Sequence, residues 1–466
     1  MKLKIIAAVF FWAALLMMSC NRDEISFEAP SQELRFSADT VFCDTVYHQV
    51  RSESYAVKVY NTEDRDIMIP NIELGRGASS LYRINVDGKS GYSFNNVPLR
   101  KKDSLYIFVE IAPTASSPEA IAEDRIFFTT PAGKQHVTLF SVVQDAEFFV
   151  ETAGNPNILS GNITWNDGRA KIIYGDLTVA PGSTLNIEQG TKVYFFRNSG
   201  MKVAGGATVN INGDLDDEVI IRGDRNDPKY DTIPKNWNSM RFEPGSTVNM
   251  NYARVFGGIR GLDLREAAAT IKNSIIHTFD EYGIYAVNST VNAENLVMNN
   301  CQNADFGIFK GGNYNIIHST LANYWQLTGT GSGLAMYAAN EWINSSGQTE
   351  TAPLSLNIGN SILYTKSANA LQLKPVSGQT FNYQVRNSLL KYDVGAGFNF
   401  DTSPGIINSF KNTDPAFLNY YTEKMNLRVA ADSYAKGKGS AGIAATVPLD
   451  IVKISRTSNP TLGAYQ

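Results

Sequence analysis

One phrase recurs through the second half of the chain and restricts the fold more than any other feature. "MNYARV" (250–255), "IKNSII" (271–276), "AENLVM" (293–298), "IIHSTL" (316–321), "IGNSIL" (358–363) and "VRNSLL" (385–390) share one frame. Aligned on the third position, the residues are Tyr252, Asn273, Asn295, His318, Asn360 and Asn387, spaced by 21, 22, 23, 42 and 27 residues. The gap of 42 is expected to hold two repeats, with the stretch "TGTGSGLAMYAANEWINSSGQTETAP" inserted between them. A period near 22 means a stacked array in which each unit buries its apolar side against its neighbours.

The period selects the kind of array. A repeat of two helices needs about 30 residues or more, and the leucine-asparagine frame of leucine-rich repeats is missing. About 22 residues fit one coil of three short strands and three turns, which is a right-handed parallel β-helix. Coils then stack about 4.8 Å apart, so equivalent side chains line up. Inward asparagines are expected to bond one another up the stack, with Ile, Leu and Val filling the rest of the interior. The same texture begins near residue 165: "GDLTVAPGSTLNIEQGTKVYF" (175–195) alternates apolar residues between glycine turns.

Residues 34–148 carry a different pattern. In "YAVKVYN" (55–61), Val57 and Val59 face one way and Ala56, Lys58 and Tyr60 the other. "SLYIFVEIAP" (104–113) places Leu105, Ile107, Val109 and Ile111 on one face. Turn signals such as "VDGKSG" and "TPAGK" separate the runs, and no helical period is present. Period-2 runs broken this way predict a small antiparallel β-sandwich. The expected organisation is all-β: a leader over 1–19, a tether over 20–33, the sandwich over 34–148 and the β-helix over 149–466.

The leader is short. Lys2 and Lys4 precede an uncharged stretch, Ile5–Met18, too short for the roughly 20 residues of a membrane span and suited to a signal-peptide core. The net charge of −4 gives no basic footprint for nucleic acid. Cys43 and Cys301 fall in different expected domains and are expected to be buried free thiols, although a bond between them stays open. With four scattered histidines they form no zinc pattern.

Several stretches resemble known families. "MMSC" before "NRDE" resembles a bacterial lipobox followed by the acidic export signal of Bacteroidetes surface lipoproteins. The resemblance implies acylation of Cys20, and an outer-membrane lipoprotein held by its lipid anchor and facing the cell exterior. "LRFSADTVFCDTV", "VKVYN", "YRINVDG" and "KKDSLYIFVEIAP" resemble an immunoglobulin-like domain of such lipoproteins, which implies a spacer. The domain lacks the antibody Cys–Trp–Cys core. From about 165 onward the chain resembles the pectate-lyase-like β-helix superfamily. "GDLTVAPGSTLNIEQGTKVYF" is similar to an opening coil and "NWNSMRF" (236–242) to a strand after an insertion. "TDPAFLN" (413–419) and "NPTLGAYQ" (459–466) are similar to the closing coil. That superfamily holds lyases, hydrolases and binding proteins, so it fixes no chemistry.

Two sets of residues are candidates for function. Asp263 and Arg265, with His277 and Asp280 one coil on, form the best acid-base group, although the paired aspartates of a hydrolase and the signature of a lyase are both missing. The charges of "GDRNDPKYDTIPKNW" (223–237) belong to an insertion loop. "GDLDDE" (213–218) is an Asp-Gly turn that offers oxygen ligands for Ca²⁺ but needs no metal, and no cofactor is expected. Tyr324, Trp325, Tyr337 and Trp342 offer flat faces on which sugar rings stack. The expectation is a monomeric, non-catalytic binder of extracellular polysaccharide or a surface protein. A β-helix polysaccharide lyase or glycoside hydrolase, and a structural surface protein, are the alternatives.

Overall fold

The computed structural model describes residues 26–43, 45–47, 51–113, 119–131, 133–225, 228–325, 327 and 333–466. Cys20 and the leader lie outside these residues. The chain is nearly all β and divides into two compact units, one ending at Gln144 and one spanning Asp145–Gln466. The second unit begins a few residues before the boundary expected at 148/149. Strand Ala146–Val150 pairs in parallel with Ala170–Tyr174, so it is the first rung of the downstream sheet.

In the first unit, a five-stranded antiparallel sheet and a six-stranded mixed sheet share one apolar core. Val57, Val59, Ile107, Val109 and Ile111 enter it, as their alternation requires. Ile126, Phe128, Val137 and Leu139 meet them from the long pair Glu119–Thr130 and Gly133–Gln144. Cys43 is buried here and Cys301 in the second unit, and among the described residues neither forms a disulfide.

The second unit is a solenoid-like arrangement of two parallel sheets, of eleven and seventeen strands. In the eleven-stranded sheet, Ile221, Val255, Ile276, Met298, Leu321, Leu363 and Leu390 form one register column, each with no solvent exposure. Leu262, Ile284, Phe306, Met336 and Leu371 form the matching column of the seventeen-stranded sheet. Both columns belong to one continuous core.

The recurring phrase marks the corner that carries the chain into the eleven-stranded sheet. Tyr252, Asn273, Asn295, His318, Asn360 and Asn387 all have φ between 46° and 50°, or 53° for Asn295. Asparagine tolerates this left-handed region better than most residues, which explains its frequency here. The serine after it completes the corner. Ser319, Ser361 and Ser388 each donate to the carbonyl two residues earlier, at 3.1, 2.9 and 2.9 Å. Each also accepts a backbone N–H from the coil before, at 3.3, 3.0 and 3.0 Å. The asparagines therefore do not line the interior. Their amides stack along the corner, with Asn273 donating to Asn251 at 2.8 Å and Asn295 to Asn273 at 2.7 Å, and this stack helps wall a surface cleft.

The gap of 42 is one enlarged coil rather than two. Asn315 pairs with Asn357 and Ile316 with Ile358 in adjacent strands, and Asn360 Nδ2 lies 2.9 Å from His318 Nε2. Strand Leu334–Ala339 is this coil's rung of the seventeen-stranded sheet, between the coils before and after it, and the extra length includes an antiparallel hairpin of Glu341–Ile343 with Thr349–Thr351.

The segments expected to close the coil instead fold back along it. Leu427, Ile451 and Ala464 pack on Val297, Ala322 and Tyr324 of the eleven-stranded sheet. Buried Arg456 fixes this strap, donating to Asn295 Oδ1 (2.8 Å) and to the carbonyls of Leu449, Gly463 and Ala464.

Candidate ligand-binding face

The outer side of the seventeen-stranded sheet follows from strand alternation. In Arg260–Arg265, Leu262 and Leu264 enter the core, leaving Asp263 and Arg265 on the other face. Register then fixes the neighbours: Arg241, Asp263, Tyr285, Gly307, Tyr337 and Gln372 occupy one outward column. Gly307 is required there. A Cβ at this position would lie 2.8 Å from ring atoms of both Phe309 and Tyr282.

Aromatic rings collect over that gap. Tyr285 and Phe309 have centroids 4.5 Å apart at 29°, and Tyr337 continues the row 5.4 Å from Phe309. Tyr282 closes against Phe309 edge-on at 5.6 Å. The Arg260 and Arg265 guanidiniums lie over the Tyr285 ring, at 4.2 and 4.7 Å. Trp342 reaches in from the hairpin, its indole N–H donating to Tyr285 Oη at 2.8 Å, with Arg265 5.4 Å from its ring. Tyr282, Phe309, Tyr337 and Trp342 are half-buried, so each keeps part of its ring in water.

The charges on this face are matched. Asp263 accepts from Arg265 at 2.5 and 3.1 Å and from Arg260 at 3.1 Å. Arg260 also bonds Glu281, at 2.5 Å. Lys310 is held between Glu266 and Glu350, Lys374 by Glu341, and Lys202 and Arg241 by Glu243. Burial works against the charge on Arg260, but Asp263 and Glu281 outweigh it and raise its pKa. Burial pushes the Tyr282 hydroxyl up to about 12 and raises that of Tyr337. The surface is thus aromatic, hydrogen-bonding and locally neutral. Both oxygens of Asp263 are engaged by guanidiniums, so among the described residues this acid is not free to move a proton.

Of the residues singled out from the sequence, Asp263, Arg265, Tyr337 and Trp342 meet here. The others do not. Left-handed corners at Glu266 and Asn273 turn the chain between Asp263 and His277, so His277 lies on the eleven-stranded sheet, stacked on Phe256 at 4.9 Å. Tyr285, not His277, is the residue one coil above Asp263. Asp280 pairs with Lys235 at 3.4 Å, while its neighbour Glu281 joins the face through Arg260. Tyr324 is buried on the eleven-stranded sheet, stacked on Tyr420 at 4.2 Å and 10°. Trp325 follows that strand, its N–H bonded to Asn323 Oδ1 at 3.2 Å. Tyr282, Tyr285, Phe309 and Arg260 were missed. Stepping 22 residues on from Asp263 reaches Tyr285 and would have found the row. Among the described residues, no group of His, Cys, Asp or Glu is arranged to hold a metal ion, and no helix is long and apolar enough to cross a membrane. In the 213–218 turn, Asp214 is bound by Lys453 at 2.6 Å.

No protein-family model matches the chain, and no curated protein matches it. Solved structures overlap it weakly. The PapD-like domain 7 of human CEP192 is 10% identical, covering 28% of this chain and 96% of that one, with a TM-score of 0.18. A family 123 glycoside hydrolase from Clostridium perfringens is 7% identical over 28% of this chain and 30% of that one, with a TM-score of 0.20. The E. coli chaperone DraB is 13% identical over 26% and 58%, with a TM-score of 0.18. At such scores the likenesses carry no weight for fold or function.

Proposed function

We propose that this chain is a surface-anchored lipoprotein that binds extracellular polysaccharide without cleaving it. In this reading an immunoglobulin-like sandwich spaces a right-handed parallel β-helix from the membrane, and the aromatic row of the seventeen-stranded sheet receives the glycan. The observation that carries the reading is the row of Phe309 and Tyr337 with Trp342 beside it, half-open, backed by buried Tyr285 and flanked by paired charges. Sugar rings present C–H faces to aromatic rings and hydroxyls to bound carboxylates and guanidiniums. A row spaced by the rise of successive coils suits a polymer lying along the stack. Neutral or lightly charged glycans fit best, because each cation already has a carboxylate partner.

Binding of the purified chain to a glycan array, followed by calorimetry on the best ligand, tests this. Trp342→Ala should weaken binding by about 1–3 kcal/mol, the loss expected for an aromatic anchor. An undiminished affinity sinks the reading, as does shortening of the polymer during incubation. The anchor is tested separately: Cys20→Ala should abolish incorporation of labelled palmitate and release the protein from the membrane fraction.

A further inference from the structure

The other outer face, on the eleven-stranded sheet, is roofed rather than open. The strap and two short turns, Pro228–Thr232 and Thr422–Lys424, close over the strands Ala253–Phe256 and Ile275–Phe279. Beneath them are two adjoining chambers of about 420 and 510 Å³, both lined by Arg254, Lys424 and Met425. Volumes of this size hold a small molecule.

The polar groups here are not matched as they are on the open face. Arg254 is exposed and has no carboxylate within ion-pair distance among the described residues. Beside it in the smaller chamber is His277, buried to 4% exposure, whose Nδ1 is bonded to Thr278 Oγ1 at 2.9 Å and whose other ring nitrogen has no protein partner among the described residues. Lys229 also lines this chamber. Of its two acids, Asp231 is engaged by Arg222 at 2.6 Å, which leaves Glu423 at the rim. The larger chamber has an apolar side of Ile275, Val297, Leu427 and Ile451. Its polar lining is Asp216, Glu218 and Asn273 together with Arg254, Lys424 and Arg428, the last lying 5.3 Å over the Tyr465 ring, and among the described residues neither acid has an ion pair. A guanidinium without a carboxylate calls for an anion. Two carboxylates outside any ion pair, in the chamber that Arg254 also lines, call for hydroxyl donors.

We propose that the two chambers form one binding site for a small hydroxylated organic anion, with its carboxylate on Arg254 and its hydroxyls toward Asp216 and Glu218. His277 supplies a second hydrogen bond to the anion. This inference is independent of the open face, since no residue is shared.

Calorimetry on the full chain with D-glucuronate as the probe tests it, with glucose, hexanoate and sulfate as comparisons. Saturable glucuronate binding in the millimolar range or tighter is expected, displaced by sulfate and at least ten-fold tighter than glucose or hexanoate. Arg254→Met should weaken it ten-fold or more. The Arg254 side chain is exposed and unpaired, so the variant keeps its fold, which a matching melting curve verifies. Asp216→Asn with Glu218→Gln should weaken glucuronate while leaving sulfate binding unchanged. No saturable binding, equal binding of glucose or hexanoate, or an intact affinity in Arg254→Met overturns the proposal. Loss of glucuronate binding in Trp342→Ala but not in Arg254→Met would move the ligand to the open face and also overturn it.

Discussion

On the seventeen-stranded sheet the outward columns hold aromatic rings and paired charges and face water. On the eleven-stranded sheet the outward columns hold Ile275, His277 and Val297 beneath the strap and its neighbouring turns, with Arg254 exposed beside them. The two faces share one coil and one period, and the inward columns of both are apolar. Stacking geometry constrains only what enters the core. The outward positions are free of that constraint, so each face has its own chemistry: one neutralised within itself, one left incomplete and closed by a segment from the far end of the chain.

If the covered face depends on its strap, removing the clamp should have the largest effect on the molecule. Arg456→Met strips hydrogen bonds from Asn295 and three backbone carbonyls, two of them buried. It should cost about 3 kcal/mol or more, and limited proteolysis should cut the last fifty or so residues first. A melt within about 0.5 kcal/mol of wild type would mean the strap is a passenger.

Next comes the corner between the faces. Asn360 bonds His318 and both backbone groups of Ser440 while holding φ at 50°. Asn360→Leu loses the bonds and adds strain, for about 1–3 kcal/mol in a denaturant melt. Asn360→Gly loses the bonds alone and should fall between leucine and wild type. Equal losses for the two would remove strain from the account.

Acid should act on the covered face before the open one. Burial, with Arg254 and Arg222 nearby, depresses the His277 pKa to about 3, and burial with Arg456 nearby does the same for His318. The unfolded chain takes up these protons first, so the stability they support is complete above about 6.5 and is lost as pH falls toward 3. His277→Gln should flatten that loss. Asp305 behaves oppositely. Burial raises its pKa well above the ordinary carboxylate value, offset only in part by the Cys301 thiol. Its contribution is complete at acid pH and is lost as pH rises past that ordinary value. Asp305→Asn should therefore raise the melting temperature at pH 7 and leave it unchanged near pH 3.5, and the reverse order would reject this account. The smallest effect belongs to the open face: Lys374→Ala breaks the pair with Glu341 and should change stability by less than about 0.5 kcal/mol.

The coil was legible in the sequence because its core positions repeat. The phrase around Asn273, Asn295 and Asn387 marks one backbone corner, and the valines and isoleucines of 55–61 and 104–113 mark the strands of the first unit. Which side of the corner the asparagines occupy was not legible, since a left-handed φ and an interior ladder favour the same residue. The enlarged coil was misread as two because 42 is about twice the period, although no copy of the phrase stands between His318 and Asn360. The candidate site was half legible. Asp263 and Arg265 were in place, but His277 was grouped with them by sequence distance, and two corners separate their faces. The strap was hidden because its partners are up to 239 residues away, as with Lys453 and Asp214.

That span alters how the solenoid should come apart. Coils that touch only their neighbours can fray from either end, one at a time. Here the chain's last segment is tied at Asp214 through Lys453, at Asn295 through Leu449 and Arg456, and at Asn360 through Ser440. It bridges several coils lengthwise, so loosening one of them loosens the tie on the rest. Melting then becomes a single cooperative event across the bridged coils, and refolding must wait for all of them before the tie can form, which makes the closing step slow.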